Sequence, residues 1–204
     1  MINEQIVMIT DILPSKQMTA GNVLTLIHDE LQTEFDLHYI NLYNAEINYE
    51  IYERVGSESI YIIEKPRENW GTITEIKILS QLVSFFGELA SNLDCKTIVN
   101  KIETIITRIR PSMIIYVIES HTSIKIAKRL VGTSDIQEIG IYWDPVEWQL
   151  ESKKVDVIGK KIVQQKNKYL IKKFDAILVP SDNMGDHFKS IGAKNIVTMH
   201  PYFE

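Results

Sequence analysis

Six consecutive apolar residues, Met113-Ile114-Ile115-Tyr116-Val117-Ile118, lie between Pro111-Ser112 and Glu119. A strand with one wet face alternates apolar and polar residues. An unbroken apolar run is what a strand covered on both faces requires, and parallel sheets are covered that way. The run therefore points to an α/β protein with helices on both sides of a sheet.

The rest of the chain supplies the partners. Gln5–Thr10 reads as a strand, Ala20–Glu34 as a helix with Val23, Leu24, Ile27 and Leu31 on one face, and Phe35–Leu42 as a second strand. The Tyr-, Glu- and Asn-rich stretch Tyr43–Glu58 fits a hairpin or an irregular insert, and Ser59–Ile63 fits a strand stopped by Pro66. Thr72 with Glu75 forms a capping-box pattern opening a helix to about Ala90, with Ile76, Leu79, Leu82, Val83 and Phe86 as its stripe. Asp94 is placed to cap a further helix, Lys96–Arg108. Then come helix Ser123–Val131, strand Glu138–Tyr142, and a long helix Val146–Phe174 interrupted near Gly159. Strand Ala176–Pro180, helix Asn183–Ile191 closed by Gly192, and strand Asn195–Met199 finish the pattern. Strands separated by helices throughout predict one three-layer, Rossmann-like α/β domain over residues 1–204 with a mostly parallel sheet.

Composition narrows the function classes. A formal charge of −5 argues against a nucleic-acid binder that works by bulk positive charge. The single cysteine, Cys95, excludes an intrachain disulfide and a Cys-rich zinc site, and suits a reducing compartment. The amino terminus has no basic segment followed by a long apolar core, and no apolar run approaches a membrane span. A cytoplasmic protein is the expectation. No H-E-x-x-H, C-x-x-C or Asp-rich calcium loop occurs, so no metal is implied, and no G-x-S-x-G elbow supports a hydrolase.

In open parallel sheets, ligands bind beyond the carboxyl ends of the strands. Four loops qualify: Leu13 to Asn22, Glu119 to Ser123, Trp143-Asp144-Pro145, and Ser181-Asp182-Asn183. The first has one glycine, Gly21, so it is neither G-x-G-x-x-G nor a P-loop. Its backbone N–H groups at the helix start could still hold an anion. His121 can exchange a proton near neutral pH, and Glu119 and Asp144 could orient it or hold a hydroxyl. Ser120 and Ser181 stand where helix caps belong, and Trp143 fits packing and ligand stacking equally. His28, His38, His187 and His200 fit structural or solvent-facing roles.

Several segments together resemble the N-terminal half of a glycosyltransferase of the two-domain GT-B architecture, family 4 (group 1) type. These are "LPSKQMTAGNVLTLIHDEL" leading to "FDLHYINL", "SMIIYVIESHTSIKIAKRL", "EIGIYWDP", and "KFDAILVPSDNMGDHFKSIGAKNIVTMHPYFE". The last is the most specific. Two positions depart from the family pattern: Ala20 stands for the first of two glycines, and Trp143-Asp144 for a His-Asp pair. The resemblance implies transfer from a nucleoside-diphosphate sugar, as donor substrate and without cofactor or metal, to a glycan or lipid-linked acceptor, as in polysaccharide biosynthesis. It places Ser15, Lys16, Ala20, Gly21 and Asn22 near the donor diphosphate and His121 against the reacting sugar. Glu119, Ser120, Thr122, Trp143, Asp144 and Ser181 would contact substrate. It further implies a donor-binding C-terminal domain beyond Glu204, so residues 1–204 alone are expected to be inactive.

The sequence is also compatible with other readings. A sugar epimerase of the same architecture is one, although "VPSDNM" is more similar to a transferase. A receiver-like binding module would need paired acids after the first strand and a late lysine, and only Asp11 is present. A catalytically silent glycosyltransferase partner would share the fold without the chemistry. Lys153, Lys154, Lys160, Lys161, Lys166, Lys168, Lys172 and Lys173 form a basic helix face. Such a face suits either solvent or the anionic inner surface of a membrane, where a lipid-linked acceptor would lie.

Overall fold

The structure is a computed structural model that describes residues 4–15, 19–43, 55–65, 77–152 and 157–199, with backbone alone over 77–92. Among the described residues seven strands form one sheet: β1 (Glu4–Thr10), β2 (Phe35–Tyr43), β3 (Ile60–Glu64), β4 (Met113–Ile118), β5 (Gln137–Tyr142), β6 (Ala176–Val179) and β7 (Ile196–Thr198). Their spatial order is β3-β2-β1-β4-β5-β6-β7, and every ladder is parallel. The direction of winding reverses between β1 and β4, which opens a crevice there at the carboxyl edge.

The apolar run that predicted a two-sided strand is β4. Its Ile114, Tyr116 and Ile118 join one core with Val7 and Ile9 of β1, while Ile115 and Val117 join another with Ile6 and Met8. The side-chain period of two in a strand delivers alternate residues to the two layers. Helices α2 (Lys77–Ile109), α3 (His121–Leu130), α4 (Val146–Ser152), α5 (Val157–Lys173) and α6 (Asp182–Ile191) supply side chains to the first core. Helix α1 (Thr19–Leu31) covers the opposite face through Leu24, Ile27 and Leu31. Beyond α1, that face carries an apolar groove of about 600 Å³ lined by residues including Ile115, Ile139, Ile141 and Leu178.

One helix expectation is corrected. The helices expected to end near Ala90 and restart at Lys96 are one continuous 33-residue helix, α2, with Asp94 exposed on it. Ser91–Cys95 contains no Gly or Pro, and a cap contributes only ~1 kcal/mol, too little to break a helix anchored by buried Cys95, Ile98 and Ile102. The capping box at Thr72 and Glu75 and the stripe from Ile76 to Phe86 lie outside the described side chains. The long helix read over Val146–Phe174 with an interruption near Gly159 is described as two helices, α4 and α5, with Gly159 in the first turn of α5; residues 153–156 between them lie outside the described residues. Gly192 does close α6: its φ of 104° is left-handed, and its N–H donates to Lys189 and Phe188 carbonyls.

Candidate functional site at the carboxyl edge of the sheet

At the end of β1 the backbone is turned by buried side chains. Thr10 Oγ1 donates to the Ile12 carbonyl over 2.6 Å and accepts from the Ile12 N–H at 3.1 Å. Asn41 of β2, also buried, donates to the carbonyls of Thr10 and Asp11 at 3.4 and 3.3 Å. The loop then folds onto α1: Ser15 N–H donates to the Gly21 carbonyl at 3.0 Å. A Cβ on residue 21 would lie 2.8 Å from the Ser15 carbonyl oxygen. The lone glycine thus serves close packing of loop on helix. Ser15, Ala20 and Asn22 are half-buried around it; Lys16 lies outside the described residues.

The end of β4 meets this loop at the switch point. Ser120 caps α3, its Oγ accepting from Ser123 N–H at 3.0 Å while Ser123 Oγ accepts from Ser120 N–H at 2.9 Å. That reciprocal box holds Ser120 at 4% exposure, and Thr122 behind it is 3% exposed. Both side chains face inward. His121, the first residue of α3, is half-buried at the edge.

Glu119 is the electrostatic centre of the edge. Its Oε1 accepts the indole N–H of Trp143, at the end of β5, across 2.8 Å. Lys65, just past β3, pairs with Asp11 at 2.7 Å, with side-chain exposures of only 8% and 11%. Burial, reinforced by the Asp11 charge, pushes the Glu119 carboxyl up to about 8; Trp143, Lys65 and the Asp11 backbone oppose this only in part. Glu119 is therefore mainly protonated at neutral pH and can donate a hydrogen bond. Four strand ends, β1, β3, β4 and β5, meet in this cluster.

Beside the switch point, the loops after β5 and β6 enclose a cleft of about 480 Å³. Trp143, Asp144 and Ser181 line it, together with Glu147, Trp148 and His187. Ser181 also caps α6, accepting from the Met184 N–H at 3.4 Å. His187 Nε2 and Glu147 Oε2 are 3.8 Å apart.

The structure thus places the expected residues in three adjoining groups. Ser15, Ala20, Gly21 and Asn22 form the first loop; Glu119 and His121 stand at the switch point; Trp143, Asp144 and Ser181 belong to the cleft. Asp11, Lys65, Glu147 and Trp148 were not singled out as site residues from the sequence, and His187 was given a structural or solvent-facing role. A helical reading carries one signal: in α4, Val146 and Leu150 are buried while Trp148 is 66% exposed. Of the other histidines, His28 is buried with Nδ1 2.8 Å from the Tyr39 hydroxyl. His38 is half-buried, its pKa lowered chiefly by burial. His200 lies outside the described residues. No group of three or more His, Cys, Asp or Glu among the described residues is placed to hold a metal ion.

Solved structures share this architecture. A UDP-glucosyltransferase from Polygonum tinctorium, capable of glucosylating indoxyl, superposes with a TM-score of 0.53 at 9% identity, over 99% of this chain and 53% of that one. Phytolacca americana UGT2, solved with UDP-2fluoro-glucose and pterostilbene, superposes with a TM-score of 0.52 at 10% identity, over 98% and 53%. The chain spans about half the length of each. No protein-family model matches the sequence, and no curated protein matches it significantly. The chain therefore has the Rossmann-like α/β fold found in GT-B glycosyltransferases.

Proposed function

We propose that this chain is the acceptor-side domain of a glycosyltransferase, family 4 in type, that moves a sugar from a nucleoside-diphosphate donor to a hydroxyl of a glycan or lipid-linked acceptor. The observation that supports this most directly is the meeting of His121, Glu119 and the Gly21-packed loop at the switch point of a GT-B-like sheet. In such a transfer the acceptor oxygen bonds to the anomeric carbon, the bond from that carbon to the diphosphate oxygen breaks, and the acceptor hydroxyl's proton leaves to the departing diphosphate. His121 would contact the reacting sugar, and the half-buried first loop would face the departing diphosphate. Glu119 would act on substrate through Trp143, whose indole it holds at the edge of the cleft. A donor-binding domain outside this chain would supply the nucleotide site.

A second reading is a glycosyltransferase-like partner without chemistry. It draws on Ser15, whose N–H is already spent on the Gly21 carbonyl and so is one donor fewer for a diphosphate. Assaying the natural polypeptide that contains residues 1–204 for diphosphate release from a panel of nucleotide sugars separates the two. Turnover abolished by His121→Ala supports the transferase, and no turnover with any donor and acceptor supports the silent partner.

No helix among the described residues is long and apolar enough to cross a membrane. For a lipid-linked acceptor we propose peripheral contact through α5 at the cytoplasmic face. Lys161, Lys168, Lys172 and Lys173 are exposed there, while Val163, Leu170 and Ile171 pack inward.

A further inference from the structure

His38 stands in the first half of β2, beside Val7 of β1, on the face of the sheet that α2 covers. Both of its ring nitrogens are enclosed, and neither has a hydrogen-bond partner among the described residues. A neutral imidazole carries one N–H donor and one acceptor, so both are unsatisfied here. Each such atom lowers stability, whereas a leucine or phenylalanine would fill the same space without that loss. Packing alone does not account for a titratable ring at this place.

The surroundings make the ring respond to acid. Its neighbour on β3 is Tyr61, with ring centroids 6.2 Å apart, and the Arg108 guanidinium of α2 lies 5.1 Å from the Tyr61 ring. Burial holds the His38 pKa below its ordinary 6.5; Asp36, on the same strand, opposes this, and Arg108 adds to it. A proton on His38 therefore puts a second cation under α2, near Arg108, with no acceptor for either ring N–H among the described residues. In an opened state the ring meets water and regains its ordinary value. Falling pH through 6.5 thus favours the opened state.

We propose that His38 is an acid-sensitive latch for α2: on taking up a proton the imidazole leaves its enclosed site, and the carboxyl-terminal half of α2, from Cys95 to Ile109, loosens from β2 and β3. The strands and helices from β5 onward keep their packing. Helix α2 also lies against α3, whose first residue is His121, so its release reaches the carboxyl edge of the sheet. The latch stands apart from the transferase reading, and neither depends on the other.

The test is amide hydrogen exchange of this chain at pH 7.5 and 5.5, corrected for the intrinsic rate, with the His38 ring followed by NMR titration. In the wild type the α2 amides from Ile98 to Arg108 are expected to lose up to about tenfold of their protection, while those of β6 and α6 keep theirs. His38→Phe should hold the α2 amides protected at both pH values. Arg108→Gln, at an exposed side chain that folding does not need, should raise the His38 midpoint and shrink the loss. It decides the matter if His38→Phe does not fold. The latch is overturned if wild-type α2 keeps its protection to pH 5.5, or if folded His38→Phe loses as much as wild type. Loss spread evenly over the chain, or an Arg108→Gln protein with unchanged midpoint and unchanged loss, overturns it as well.

Discussion

The indole N–H of Trp143 donates to Glu119 Oε1 at 2.8 Å, tying the end of β5 to the end of β4. That bond holds a carboxyl group whose proton is retained to about pH 8 by burial and by the neighbouring Asp11 charge. The sign of the linkage follows. Unfolded, Glu119 ionises near its ordinary 4.5, while the native state keeps the proton to about 8. Between those values the unfolded state releases a proton that the native state holds, so rising pH drains stability by at most ~1.4 kcal/mol per pH unit. Glu119→Gln keeps an acceptor for Trp143 and removes the ionisation. The variant should match wild type below pH 4.5 and exceed it at pH 8 by about 1–2 kcal/mol, a value discounted for partial solvent screening. Urea unfolding at several pH values reads this; a wild-type stability flat from pH 5 to 8 would contradict it.

Lys65 and Asp11 form a nearly enclosed ion pair that ties the end of β3 to the end of β1. Removing one member strands the other's charge, which in buried pairs costs roughly 3–5 kcal/mol. Lys65→Met should therefore destabilise strongly, and adding Asp11→Asn should recover part of the loss. A denaturation double-mutant cycle measures the coupling, and strictly additive losses would show that the pair carries none.

Gly21→Ala sets two effects against each other. Alanine favours a helix by up to ~1 kcal/mol, less in a first turn. The new Cβ, however, would sit 2.8 Å from a backbone oxygen that no rotamer change can move. Overpacking of this kind costs ~1–3 kcal/mol, so net destabilisation is expected. A variant melting above wild type would overturn the close-packing account.

His121→Ala in the natural polypeptide should lower turnover about 100-fold or more while leaving the unfolding midpoint nearly unchanged, since His121 is only half-buried. Steady-state kinetics and thermal melting of the same preparation separate the two. Wild-type turnover in a folded variant removes His121 from the chemistry.

The lysine face of α5 predicts salt-sensitive binding of this chain to vesicles that contain phosphatidylglycerol, and none to neutral phosphatidylcholine vesicles. Absence of pelleting at low salt would assign that face to solvent alone.

The sheet was legible because burial imposes its own period. Ile114 and Ile115 both had to be apolar once β4 was covered on two sides, and that is visible in one dimension. Ser120 and Ser181 were legible as caps, because a cap depends on neighbours three residues away. Contacts over long separations were not. Lys65 meets Asp11 across 54 positions, and Glu119 meets Trp143 across 24. Nothing local marks either partner. His187 read as one more helical histidine because Glu147, its neighbour in the cleft, belongs to a different helix. The continuity of α2 was hidden for the opposite reason: Asp94 carries a genuine local preference that the packing of Cys95 and Ile98 overrides.

The position of β1 in the middle of the sheet has a consequence for synthesis. Its ladder to β4 consists of four residue pairs, from Ile6 with Met113 to Ile9 with Tyr116, and the flanking bond from Ser112 to Gln5 spans 107 positions. A ribosome adding ~5–20 residues per second takes roughly 5–20 s to cover that distance. Throughout that interval one edge of β1, carrying Ile6, Val7, Met8 and Ile9, has no strand to pair with, and such an edge templates aggregation. Topology therefore leaves that edge of the nascent first half unpaired until β4 emerges from the exit tunnel.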